Sequence, residues 1–355
     1  MKKAVLIIAG ALIGLGVTLS CHARGVPNDF DGDGASDLAV YNPANGQWFI
    51  RSLDGRIIEW QRSWGFSTAY PVPADYDGDG QTDLAVFDRA SGNWFITTRS
   101  GKILAWRLAW GWNTAVPVPG DYDGDSKDDI GVYDLESGKW YVYSIALQKV
   151  LIWGQNWGFK GDVRRWERPP TSTVLPVPYD YDNDGRTDLA VYYRGFSMAD
   201  TYWYILGTSN KTWATVWGSS GSIPTPGSYR SVVDESLYPK GIAVYKIKYS
   251  IVGDGSDGSF CTPYTYQFKL GTYGLSVPVP GLDFDGNGWD DHAVYSAANN
   301  GQWIISLNDG DGNDGASGAY EQPPRRTVQW GFQGAIPANI YNTIYTACGY
   351  SVKPW

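Results

Sequence analysis

Histidine, methionine and cysteine are nearly missing from this 355-residue sequence, which holds two His, two Met and three Cys. With so few imidazoles and thiols, the usual nucleophile–base pairs of catalysis cannot be assembled. Long apolar runs are scarce too. The one such run, Ala4 to Leu19, follows Lys2 and Lys3 and is too short to span a bilayer; nothing comparable and no helical stretch is predicted after it. Basic residues are outnumbered 28 to 37, a net charge of −9, which argues against nucleic acid as a partner.

The opening residues read as a bacterial export signal over 1–23, leaving 24–355 as one domain outside the cytoplasm, with no transmembrane segment in the mature chain. Two processing routes are open. Cys21-His22-Ala23 offers cleavage after Ala23, whereas Leu19-Ser20-Cys21 is an imperfect lipoprotein box that would place a lipid anchor on Cys21. Either way Cys261 and Cys348 remain as a pair able to form one disulfide in an oxidising compartment; two buried thiols are the alternative.

What the chain has in excess is aspartate at fixed spacing. In "DYDGDGQTDLAVF", Asp75, Asp77, Asp79 and Asp83 would repel one another unless a cation bound among them. Hard oxygens at the first, third, fifth and ninth positions, with a carbonyl near the seventh, suit calcium, and Gly80 allows the turn after the third ligand. A helix-loop-helix site would need Glu at the twelfth position, where Val86 stands, so the loop is expected between strands. The pattern recurs as Asp29, Asp31, Asp33 and Asp37; Asp121, Asp123, Asp125 and Asp129; Asp180, Asp182, Asp184 and Asp188; and Asp283, Asp285, Asn287 and Asp291. A decayed copy places Ser228, Arg230 and Val232 at the ligand positions and is expected to hold no metal. Loss of Lys2 and Lys3 with the leader would leave 26 basic residues against 37 acidic ones, and about five Ca2+ would nearly cancel that charge.

The loops start at 29, 75, 121, 180, 228 and 283, each after a Pro-x-Pro approach or its remnant and before Gly-x-Trp and Trp-Gly segments. Alternation bounded by Gly, Asp and Pro gives four short strands per unit, and such units in series predict an all-β β-propeller with the acidic loops between the first two strands of most blades. The units resemble FG-GAP or VCBS-type repeats of integrin-α-like propellers over nearly all of 24–355. That resemblance implies a calcium-stabilised propeller with adhesive or ligand-binding use. Six blades are expected. The tail, 336–355, either closes the ring or begins a seventh, since "PANIY" echoes "PADYD".

Function is expected to be the binding of a glycan or protein at the cell surface or beyond it. The alternatives are a polysaccharide-processing hydrolase or lyase, and a purely structural surface module. No catalytic residues stand out: His292 replaces a strand leucine and no two carboxylates are singled out. Most of the 18 Trp recur in register and are assigned to packing between blades; Trp112, Trp166 and Trp289 fall outside it. Trp166, with Arg164, Arg165 and Arg168 in the insertion of the third unit, offers an aromatic face beside cations and is the candidate ligand site. "NDGDGNDG" from Asn308 lacks the ninth-position Asp and reads as a solvated loop.

Overall fold

A computed structural model describes residues 25–161, 163–164, 171–195, 201–218, 222–228, 242–247, 257–261, 267–272, 276–308 and 325–348. The strands come in short runs set by local chemistry. A two- or three-residue strand ends at a proline, which cannot donate onward to a ladder; the acidic loop follows; then an apolar Leu-Ala-Val-Tyr-like strand, a Gly-x-Trp strand and an outer strand.

The first unit supplies β1 (Leu38–Asn42), β2 (Gln47–Arg51) and β3 (Ile57–Ser63). The second supplies β4 (Ala69–Pro71), β5 (Leu84–Asp88), β6 (Asn93–Thr97) and β7 (Ile103–Ala109). The third has β8 (Ala115–Pro117), β9 (Ile130–Asp134), β10 (Lys139–Ser144) and β11 (Lys149–Asn156), then a small ribbon of β12 (Val163–Arg164) and β13 (Thr171–Ser172). The fourth has β14 (Val174–Pro176), β15 (Leu189–Arg194), β16 (Thr201–Leu206) and β17 (Thr212–Val216). The fifth has β18 (Ser222–Pro224), β19 (Val244–Ile247), β20 (Asp257–Cys261) and β21 (Gln267–Thr272). The sixth has β22 (Val277–Pro278), β23 (His292–Ser296), β24 (Gln302–Ser306) and β25 (Arg325–Gln329). The chain then adds β26 (Ile336–Pro337) and one helix, α1 (Ile340–Ala347).

Among the described residues all the pairings are antiparallel, and the four-stranded sheets form a β-propeller. Five sheets use four consecutive strands, while the remaining one has the order β26-β1-β2-β3. Blade one therefore takes its innermost strand from the far end of the chain. Pro337 lies opposite Val40 as Pro71 lies opposite Val86, so the tail begins no seventh unit; it completes the first.

The helix was not expected. Asn339 caps it, accepting from the Tyr341 N–H at 3.0 Å, and nearly every side chain from Tyr341 to Ala347 is buried. A helix hydrophobic on all sides needs a surround. It finds one on the innermost strands: Tyr341 Oη donates to the Pro178 carbonyl at 2.7 Å, Asn342 Nδ2 to Pro278 at 2.9 Å and Asn339 Nδ2 to Pro280 at 3.3 Å, with Thr343 bonded to Pro71 and Tyr345 to Pro224. α1 thus satisfies carbonyls of the Pro-x-Pro segments around the propeller's centre.

The expected Cys261–Cys348 disulfide is not formed. Cys348 is free and buried at the end of α1, where burial pushes its thiol up to about 12, and the Cys261 side chain lies outside the described residues. The closing contact is the strand pairing and helix instead. Among the described residues no helix is long and apolar enough to cross a membrane. The leader lies outside them.

Candidate functional site

Each acidic loop is wound around its own carboxylates. The first-position Asp accepts backbone N–H groups from the fourth and sixth positions: Gly78 at 2.7 Å and Gly80 at 2.9 Å on Asp75, Gly32 at 2.7 Å and Gly34 at 2.8 Å on Asp29. Gly80 has φ +84, a conformation that a side chain resists, which is why glycine follows the fifth position. The ninth-position Asp reaches back to the second-position N–H, as in Tyr76 to Asp83 at 3.0 Å and Phe284 to Asp291 at 2.8 Å.

Five groups of carboxylates have ligand atoms within 4.8 Å of one another: Asp29, Asp31 and Asp33; Asp75, Asp77 and Asp83; Asp121, Asp123 and Asp129; Asp180, Asp182 and Asp188; Asp283, Asp285 and Asp291. Asp37 and the fifth-position residues Asp79, Asp125, Asp184 and Asn287 fall outside these groups. In the four loops concerned the fifth position instead caps the N–H two residues on, for example Gln81 N–H to Asp79 at 2.9 Å. In the first loop the Arg56 guanidinium meets Asp31 and, at 2.7 Å, Asp33.

Burial makes these clusters electrostatically unfavourable by themselves. Desolvation, followed by the neighbouring carboxylates, pushes Asp37, Asp83 and Asp291 up to about 8 and Asp129 and Asp188 to about 7, against partial relief from backbone N–H groups. One oxygen on four of the five third-position aspartates, namely Asp31 Oδ1, Asp77 Oδ1, Asp123 Oδ2 and Asp182 Oδ1, is buried without a hydrogen-bond partner; Asp285, the fifth, is exposed. A divalent cation would supply that missing partner, so the residues fit one.

The eighth position joins neighbouring blades. Its N–H donates to the carbonyl of the first-position residue of the preceding loop: Ser36 to Asp283 at 2.6 Å, Thr82 to Asp29 at 2.6 Å, Asp128 to Asp75 at 2.7 Å, Thr187 to Asp121 at 2.6 Å and Asp290 to Ser228 at 3.1 Å. The decayed loop keeps this bond although it lost its carboxylate. No side-chain pattern announces a contact made by the backbone.

Tryptophans divide into three sets. Those of Gly-x-Trp (Trp48, Trp94, Trp140 and Trp303), with Trp203 at the same place in Thr201-Tyr202-Trp203, are fully buried and donate Nε1 within their own blade, as Trp94 does to the Trp110 carbonyl at 2.7 Å. Those just before the Gly of Trp-Gly latch the next blade: Trp64 to Phe95 at 3.2 Å, Trp110 to Tyr141 at 3.3 Å, Trp157 to Tyr204 at 3.2 Å and Trp330 to Phe49 at 3.3 Å. The glycine itself is required, because a Cβ at Gly65 would meet the Tyr41 hydroxyl at 2.4 Å. The third set, Trp60, Trp106 and Trp153 on β3, β7 and β11, is 61%, 64% and 72% exposed. Each is followed by a bulge residue at positive φ (Gln61, Arg107, Gly154), and each stands edge-on to a ring of its own blade, 5.2 to 5.4 Å away.

An FG-GAP-like repeat model matches residues 29–86, which contain the first loop, β1–β5 and the second loop. With the four-stranded propeller blades, that match decides the class. The chain is an FG-GAP/VCBS-type repeat protein. Its fold is similar to a lectin of Agrocybe aegerita described as recognising non-reducing terminal N-acetylglucosamine, at 13% identity and TM-score 0.46 over 84% of this chain and 78% of that one. It is also similar to TolB from Acinetobacter baumannii, at 13% identity and TM-score 0.45 over 88% of this chain and 68% of that one. No curated protein sequence matches the chain.

Several expected sites of this FG-GAP-type protein take other roles. Trp112 packs edge-on against Tyr141 at 4.9 Å and donates Nε1 to Asp134 at 3.2 Å; Trp289 is half-buried in the loop of blade six. Arg165, Trp166 and Arg168 lie outside the described residues, and Arg164 is described only as part of β12, opposite Thr171 of β13. Arg230 and the acidic turn after Asn308 also lie outside. His292 is buried on β23, where desolvation lowers its pKa to about 3, so it stays neutral. Sequence assigns most of the registered tryptophans to packing between blades and leaves stacking on a sugar as the alternative; which of them are exposed is decided by the neighbouring blade.

Proposed function

We propose that this FG-GAP-type protein is an exported, calcium-braced propeller that binds a ligand outside the cell, a glycan first and a protein surface second. Calcium would be held by Asp29, Asp31 and Asp33 in the first loop and by the first-, third- and ninth-position aspartates in the other four, and the partnerless buried oxygens of Asp31, Asp77, Asp123 and Asp182 support that assignment. The metal's work would be bracing.

Binding is carried by one observation: Trp60, Trp106 and Trp153 stand exposed at one register on three consecutive outer strands, each buttressed by a ring beneath it. Blades four and six pair their outer strands without the bulge. Each indole also meets a tryptophan of the neighbouring blade (Trp330, Trp64 and Trp110, at 5.7 to 5.9 Å), yet this packing leaves more than half of its surface in water, and a bulge that merely blunted a sheet edge would need no Trp beside it. Flat indole faces repeated along a surface suit pyranose rings in series. The test is a glycan array probed with calcium-loaded protein and with a Trp60→Ala, Trp106→Ala, Trp153→Ala variant. Retention of a glycan by the parent and at least tenfold weaker retention by the variant, at equal melting temperature, supports the reading. Equal retention removes it, and release of shortened product would make the protein an enzyme.

A further inference from the structure

Charge is sorted by strand on this propeller. The chain has a net charge of −9, yet the outermost strands of its blades, β3, β7, β11, β17, β21 and β25, carry Arg62, Arg107, Lys149, Lys269, Arg325 and Arg326 against a single acid, Glu59. The exposed indoles stand on three of these same strands. A basic, aromatic rim on an acidic molecule favours an anionic ligand there.

The cleft between blades one and two brings the two features together. Trp106 of blade two meets Trp64 of blade one at 5.8 Å with their planes 60° apart, and it stands edge-on to Phe95 of its own blade at 5.3 Å. Arg62 enters from blade one: it lies opposite Trp48 on β3, and its Nη2 comes within 3.7 Å of where a Cβ on Gly101 would stand, in the turn that leads into β7. Arg107 follows Trp106 as the extra residue of the bulge, exposed and at φ +57. Among the described residues neither guanidinium has an ion-pair or hydrogen-bond partner, whereas the hairpin cations Arg56 and Lys102 are committed to Asp31 and Asp77. Glu59 lies opposite Ile50, on the same face of β3 as Arg62, so β3 and β7 carry two cations to one anion.

Packing of the blades does not ask for these charges. The next cleft, between blades two and three, pairs Trp110 with Trp153 at 5.9 Å and 63°. There Leu108 holds the place of Arg62, opposite the buried Trp94, Ala105 holds that of Glu59, and Gly154 that of Arg107. Nor does the bulge ask for arginine, since its left-handed φ is one that a Cβ resists and that Gly154 adopts freely. Building on the glycan reading above, we propose that the outer strands take an anionic glycan and that the cleft between blades one and two selects its charge: a pyranose lies on Trp106 while Arg62 and Arg107 hold its carboxylate or sulfate by charge-assisted hydrogen bonds.

The probes are hyaluronan oligosaccharides, charged by carboxylate, and dextran sulfate, with neutral chitin oligosaccharides and dextran as their counterparts. Affinities are measured on calcium-loaded protein by interferometry, for the parent, for Arg62→Gln combined with Arg107→Gly, and for Glu59→Gln. Glutamine keeps much of the reach of Arg62 and glycine is the residue blade three uses at the bulge, so an unchanged melting temperature certifies the fold. The parent should bind a charged probe about tenfold more tightly than its neutral counterpart; the double variant should lose that preference and Glu59→Gln should increase it. Preference for hyaluronan makes the recognised anion a uronate, and preference for dextran sulfate makes it a sulfate ester. Equal affinity for charged and neutral probes, a preference that survives in the double variant, or a glycan array that retains only neutral sugars overturns the proposal and leaves the glycan reading standing. An array that retains nothing, or protein held only by phosphatidylglycerol vesicles, removes both.

Discussion

Asp128 and Asp75 exchange two hydrogen bonds across a blade junction: the Asp128 N–H meets the Asp75 carbonyl at 2.7 Å, and the Asp128 carboxylate accepts the Asp75 N–H at 3.1 Å. Asp75 is also the first residue of its own acidic loop. Winding of one loop is thus mechanically tied to the next blade, and metal bound in one loop should be felt around the ring.

Chelation should therefore lower the melting temperature of the whole domain in one transition rather than loosen single loops. Metal that binds only the folded chain stabilises it by RT ln(1 + [L]/Kd), about 2.7 kcal/mol per site at a hundredfold excess over Kd. Elemental analysis should give about five Ca2+ per chain in the parent and one fewer after Asp77→Asn or Asp182→Asn. A melt that ignores EDTA would end the calcium assignment.

The pH response should change sign with metal. Asp83 and Asp291 titrate near 8 when folded without metal, against 3.8 for a free aspartate side chain, because burial disfavours their charge. The folded state then holds protons that the unfolded state has released, so metal-free stability is greatest below pH 4 and falls as pH rises to about 8. Calcium needs the ionised carboxylates, so the loaded protein should gain stability over the same range. Urea titrations at pH 5 and pH 8, with and without calcium, give the four numbers needed.

Two tryptophans four residues apart should behave oppositely. Trp110→Phe removes the Nε1 bond to Tyr141 and leaves that carbonyl short of a partner, costing about 1–3 kcal/mol. Trp106→Ala should change stability by less than about 1 kcal/mol, since its ring is mostly in water. Chemical denaturation of both variants distinguishes a latch from a platform.

The tail predicts a third contrast. Tyr341→Phe strands the Pro178 carbonyl inside the propeller and should cost about 1–3 kcal/mol. Ending the chain after Gly334 removes β26 as well as α1, leaving β1 an open inner edge, and should give an expanded or insoluble product. Size-exclusion chromatography reads the difference.

Cys348 should react with a thiol reagent only as fast as the domain opens. Its burial at the end of α1 keeps the group protonated and shielded. Prompt modification of Cys348 in folded protein would contradict its placement.

The sequence by itself determined whatever is local. Aspartates two residues apart with glycine after the third ligand can wind only one kind of loop, and Pro-x-Pro, Leu-Ala-Val-Tyr and Gly-x-Trp fix short strands and their turns; blade architecture and candidate metal groups were legible for that reason. The tertiary structure decided everything that depends on a neighbour. Asn28 bonds the Ala338 carbonyl across 310 residues, and only ring closure brings them together. The tail, read as an echo of a loop, became a helix because the propeller's centre offered it apolar walls and unpaired proline carbonyls, a surround that local propensity does not encode. Likewise Trp60, Trp64 and Trp48 share one side-chain chemistry. Whether such a ring is exposed, latches the next blade or fills the core depends on which strand faces which, and that is a property of packed blades.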